Sequence, residues 1–214
     1  MKKFNVGLAL FIVAVGALLS FSPLKVYADP VTLTLESVGG QSSGPDYVYP
    51  YNMSVNGSAT DTPMMCLSFT NDINFGETWK ATIAQVMGNT NYEEAAYIFS
   101  QASAPHATQD QIAVAQWSNW VLFDADASSS VPSQYQGDVT TLLDTAAAYV
   151  LANPDSSLYS KYQIYLPVAG SQSSGDGMPQ NMMGDATPEP DSLILLGTGM
   201  LGLAVFLYRR RSIA

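Results

Sequence analysis

Cys66 and Gln116 are the two residues in this chain whose chemistry is hardest to assign to packing alone. Cys66 is the single cysteine of 214 residues, so no intramolecular disulfide can form. A lone thiol in an oxidising compartment needs another reason to be there. One such reason is structural: in Met64-Met65-Cys66-Leu67 it sits as a small buried hydrophobe, the common situation of free cysteine. Gln116 poses the complementary question. Ile112, Gln116, Trp120 and Phe123 fall on one helix face, which places a carboxamide inside an apolar stripe. There it must find partners or cost stability. A position at the edge of the stripe, bonding to backbone, is the plain alternative.

Other reactive groupings are thinner. Asp124-Ala125-Asp126-Ala127-Ser128 starts like a calcium loop, but Ser129 stands where the loop needs glycine and Tyr135 where it needs the closing glutamate. It reads as an acidic turn ending a helix. His106 is the only histidine, beside Pro105, with no second nitrogen or thiol ligand near it for zinc. It also lacks the Gly-x-Ser-x-Gly elbow that would support a Ser-His-Asp hydrolase. Paired carboxylates acting on a glycoside have only the abundance of Asp in their favour. Trp79, Trp117 and Trp120 could stack on sugars, although their places in patterned elements favour core packing. No metal, no cofactor and no turnover enzyme is expected.

The elements that must position these residues come in three zones. Residues 31–86 read as strands. Val31, Leu33 and Leu35 alternate with Thr32, Thr34 and Glu36. Tyr47 to Val55 is aromatic and β-branched, interrupted by Pro50, and leads into the tight-turn pair Asn56-Gly57. Met64 to Thr70 is a short apolar run, and Trp79 to Val86 alternates again. Three helix starts follow, at Asn91-Tyr92-Glu93-Glu94, Thr108-Gln109-Asp110-Gln111 and Ser133-Gln134-Tyr135-Gln136. Each sets a capping residue three positions before Glu or Gln. The third helix carries Val139, Leu142, Leu143, Ala146 and Val150 on one stripe and ends near Asn153-Pro154. A late strand spans Tyr162 to Val168, followed by a Gly/Ser-rich stretch. The expected class is therefore α+β: N-terminal strands, three helices and a late strand.

The two ends of the chain carry an address. Lys2 and Lys3 precede an apolar stretch from Val6 to Phe21, and Val26-Tyr27-Ala28 leads to a cleavage point at Asp29, the layout of a signal peptide over residues 1–28. Pro188-Glu189-Pro190 is followed by the uncharged run 192–208, about the shortest length that spans a bilayer core, and then by Arg209-Arg210-Arg211, expected on the cytoplasmic side. This arrangement resembles the PEP-CTERM sorting signal of Gram-negative bacteria. The resemblance implies export through the Sec translocon and a transient stay in the inner membrane through the C-terminal helix. Cleavage near the motif by an exosortase and delivery to the cell surface or extracellular matrix would follow. The domain plan is then a signal peptide (1–28), a globular domain (29–169), a linker and terminal segment (170–187) and the sorting signal (188–214). Between Asp29 and Thr187 the only cations are Lys80 and Lys161, against twelve Asp and four Glu. Such a field repels phosphate backbones, so nucleic acid is excluded as a partner.

Within the globular part, Gln116-Trp117-Ser118-Asn119-Trp120 followed by Val121-Leu122-Phe123-Asp124 resembles the glutamine motif of bacterial surface thioester-forming domains. Tyr49-Pro50-Tyr51-Asn52-Met53-Ser54-Val55-Asn56-Gly57 and Met65-Cys66-Leu67-Ser68-Phe69 are similar to the strand, turn and strand that lead to the cysteine of such domains. Gly76 to Thr82, Tyr92 to Tyr97 and Pro179 to Gly184 look like the same group. Leu67-Ser68 and Asn119 depart from its pattern. The resemblance implies that Cys66 and Gln116 condense into an internal thioester, self-catalysed at most, and that an amine on a surface or matrix ligand attacks it. The competing expectation is a non-reactive structural or carbohydrate-associated matrix protein sorted by the same exosortase system.

Overall fold

The computed structural model describes residues 29–39, 42–174, 178–186, 198–200 and 202. Six strands close into a barrel, β1 (Val31–Val38), β4 (Tyr51–Val55), β5 (Thr62–Cys66), β6 (Thr78–Gln85), β7 (Tyr162–Pro167) and β8 (Met182–Asp185), in the order β1-β4-β5-β8-β7-β6. Every neighbouring pair is antiparallel. A small hairpin, β2 (Ser42–Ser43) with β3 (Asp46–Tyr47), stands apart from it.

The alternation expected in β1 is present: Leu33 and Leu35 point inward, and Leu33 pairs with Val55 of β4 and Trp79 of β6. The register slips between Leu35 and Ser37, a bulge that leaves Glu36 exposed. Asn56 and Gly57 both take positive φ, and Ser58 N–H donates to Val55 O at 3.0 Å. That is the primed turn their pairing predicts, yet pairing in β5 resumes only at Thr62.

Period two explains the run Met64-Met65-Cys66-Leu67. Met64 and Cys66 join the interior with Met53, Trp79, Tyr165 and Met182. Met65 and Leu67 face outward into a second core with Ile164, Met183 and the helices. A strand buried on both faces needs apolar residues at every position. Gly184, opposite Met64, is small for a reason: a Cβ there would come within 3.0 Å of the Met64 side chain.

The helices are α1 (Thr90–Ala102), α2 (Gln109–Phe123) and α3 (Gln136–Ala152). The capping box of α2 forms as expected, with Thr108 and Gln111 bonding reciprocally. The other two starts differ. Asn89, not Asn91, caps α1, accepting from Tyr92 N–H at 3.2 Å. Ser133 does not cap α3; Tyr135 precedes that helix without a side-chain cap and instead donates its hydroxyl to Asp110 Oδ1 of α2 at 2.9 Å. The α3 stripe behaves as read, with Val139, Ala146 and Val150 buried and Leu142 and Leu143 packed beside them.

A further departure concerns the end of the domain. Residues 170–187, expected to be linker and terminal segment, contain β8, which stands between β5 and β7 and completes the barrel. Four residues with a central glycine carry too little pattern to read as a strand; the unpaired edges of β5 and β7 create the demand for one. The expected signal peptide and Pro188-Glu189-Pro190 lie outside the described residues, as does most of the expected membrane helix, of which 198–200 and 202 are helical. Among the described residues no helix is long and apolar enough to cross a membrane.

Candidate functional site

One barrel strand and one helix supply the site. Cys66 is the last residue of β5, paired with Met182 of β8. Helix α2 packs against β5 at this point, and its residues Val114, Trp117 and Trp120 join the core that holds Cys66. The helix is buried continuously from Ala113 to Trp120. The stripe read from the sequence is therefore only part of its buried surface, and Ile112 and Phe123 at its ends are only partly covered. A helix enclosed on all sides belongs to the centre of a domain.

Gln116 and Cys66 meet, each fully buried. The Gln116 amide donates from Nε2 to the backbone carbonyl of Cys66 at 2.7 Å. Its other atom, Oε1, has no hydrogen-bond partner among the described residues. The thiol donates from Sγ to Ser68 O at 3.1 Å and accepts from the Trp120 indole Nε1 at 3.4 Å. Phe69, Trp117 and Trp120 enclose this corner, with ring centroids 4.9 to 5.5 Å apart.

Two segments cover the pair. Trp117 Nε1 donates to Ser43 Oγ at 2.9 Å, which fastens the β2–β3 hairpin over the indoles. The loop after Cys66 is tied to the residues before β8: Leu67 N–H donates to Asn181 O at 2.8 Å, Asn181 N–H to Ser68 Oγ at 3.0 Å, and Gln180 Nε2 to Asn71 O. Sequence reasoning missed Ser43, Ser68 and Asn181 as parts of the site. Their roles come from partners up to 113 positions away, and no local pattern signals them.

Burial governs the electrostatics. It pushes the Cys66 thiol up to about 12, Asp72 adds to the rise, and hydrogen bonds from Trp120 and at the Ser68 backbone pull the other way. Tyr51 is raised by burial and then by Cys66, Asp46 and Asp72. Asp46 is raised by burial and then by Asp72. Burial thus disfavours the charged forms of Cys66, Tyr51 and Asp46.

The remaining sequence candidates lie elsewhere. His106, at positive φ, lines an open groove of about 490 Å³ with Asp110, Asp138 and Thr141. Asp124 accepts from Asp126 N–H at 3.0 Å and caps a short 3-10 helix, as the acidic-turn reading expects. Among the described residues no group of three or more His, Cys, Asp or Glu could hold a metal ion. Trp79, Trp117 and Trp120 are all buried and present no ring to a sugar.

Residues 186–211 match the PEP-CTERM protein-sorting motif, which includes Pro188, Glu189, Pro190, Arg209, Arg210 and Arg211. The motif implies a protein that an exosortase processes and sorts toward the cell surface or matrix. No curated protein and no solved structure matches the chain, and the expected resemblance to thioester-forming domains finds no support in these comparisons.

Proposed function

We propose that the barrel domain of this exosortase-sorted protein stores an internal thioester between Cys66 Sγ and Gln116 Cδ and uses it once for covalent attachment. The observation that carries the reading is the contact of the two residues: the carboxamide lies 2.7 Å from the Cys66 carbonyl, across 50 positions of sequence, with its own carbonyl oxygen unpartnered among the described residues. An orphaned buried amide oxygen is costly, and a site that keeps one has a use for it or a fault.

In the formation step the Sγ–Cδ bond forms and the Cδ–Nε2 bond breaks. The thiol proton leaves with Nε2 as ammonia. In the attachment step a neutral amine on a surface or matrix partner adds to Cδ, its proton passes to sulfur, and an amide and a free Cys66 thiol remain. Covalent attachment escapes the ceiling on non-covalent affinity. Exclusion of water from the corner protects the stored acyl group from hydrolysis. This is self-catalysed, single-use chemistry.

The rival reading is a structural thiol in a non-reactive matrix protein, and the raised pKa of Cys66 favours it, since the thiolate is the nucleophile. Burial of all three tryptophans weighs against its carbohydrate-stacking version. Intact mass of the mature protein separates the readings. The thioester form is lighter than its sequence by one ammonia, and Cys66→Ala and Gln116→Ala each retain that ammonia. A full-mass wild type, with a thiol that labels only on denaturation, overturns the proposal.

A further inference from the structure

The three indole N–H groups of the chain meet different fates. That of Trp117 reaches a good acceptor, Ser43 Oγ, at 2.9 Å. That of Trp79, inside the barrel, has no partner among the described residues. That of Trp120 points at Cys66 Sγ at 3.4 Å. A neutral thiol sulfur is a weak acceptor, so in the resting state this bond does little for a buried donor. The same donor facing a thiolate makes a charge-assisted bond, about twice as strong as a neutral one. An interaction that strengthens only as charge develops is the kind that lowers a barrier.

The placement of Trp120 is fixed by neighbours other than Cys66. Its ring is nearly fully buried, packs edge-on against Trp117 and lies 5.4 Å from Phe69. It follows Gln116 by one helical turn, so the helix that presents the electrophile also presents the donor.

We propose that Trp120 is a further catalytic residue of the thioester chemistry, its indole N–H holding the Cys66 sulfur as a thiolate both when it attacks Gln116 Cδ and when an incoming amine expels it. No extra reactant is needed: the bonds made and broken are those already given, and Trp120 exchanges no proton. The inference rests on the thioester reading.

The test replaces the N–H and keeps the ring outline. Trp120→Phe is the simple variant. Benzothienylalanine incorporated at position 120, with sulfur in place of the N–H, serves if the smaller ring loosens the fold. Each variant is treated with methylamine and the conversion of thioester to methylamide is followed by intact mass. The rate should fall roughly ten- to hundredfold, the worth of a hydrogen bond to a charged group. An unchanged rate in a protein that has lost its ammonia overturns the role of Trp120 and leaves the thioester standing. A wild type that has lost no ammonia overturns both. A second readout uses the Gln116→Ala background, where the thiol is free and is the only one in the chain. There the S–H stretching band should move when the indole N–H is removed; a fixed band refutes the contact independently of any reaction.

Discussion

Opening the proposed bond with a small amine should cost stability without changing a single residue. Cys66 and Gln116 are separated by 50 positions. By the loop-closure relation used for disulfides, a cross-link around about 50 residues stabilises a fold by about 4 kcal/mol. In a domain of this size each kcal/mol moves the melting temperature by roughly 2–4 °C, so methylamine should lower it by roughly 8–16 °C. The assay is calorimetry before and after treatment, with intact mass confirming the exchange. Cys66→Ala supplies the control. It starts without the link, loses a further 1–3 kcal/mol or so because removing the sulfur leaves a small space in the core, and should not respond to methylamine. If wild type keeps its melting temperature after verified amine incorporation, the link carries none of the stability assigned to it. If Cys66→Ala falls by the same amount as wild type, methylamine acts elsewhere and the reasoning fails.

Protein released to the surface should begin at Asp29 and end near Pro188-Glu189-Pro190; terminal mass analysis showing 193–214 still attached, in cells with an active exosortase, counts against processing at the sorting motif. Ser43→Ala should strand the Trp117 indole and destabilise the domain by about 1–3 kcal/mol, read as a lower denaturant midpoint with an unchanged slope. Burial raises the Cys66 thiol from its ordinary value of 9.0 to about 12, and in Gln116→Ala, where the thiol is free, its folded-state pKa should stay above the ordinary value. The unfolded chain therefore releases its proton first, and the stability present below about pH 9 should drain away as pH rises toward 12, at up to about 1.4 kcal/mol per pH unit. Adding Cys66→Ala to that variant should flatten this part of the pH profile, and an equal slope in both proteins refutes the buried-thiol assignment.

The sequence alone carried what short-range physics encodes. Inward Leu33 and Leu35 followed from period two, the Asn56-Gly57 turn from tolerance of positive φ, the Thr108–Gln111 capping box from spacing, and the oddness of Gln116 from its place among apolar residues. The sorting signal was equally legible, because charge, apolar length and a short motif act in order along the chain. Closure of the barrel was not legible. Met182 to Asp185 becomes a strand only because β5 and β7 leave edges that must be paired, and it is Asn89, not Asn91, that accepts from Tyr92 N–H, which spacing does not reveal. The meeting of Cys66 with Gln116, the fastening of Trp117 to Ser43 and the aim of the Trp120 N–H at sulfur all span 50 positions or more. Packing of α2 on the end of β5 and beneath the β2–β3 hairpin decided them, since side chains so distant in sequence are brought together only when two buried surfaces match.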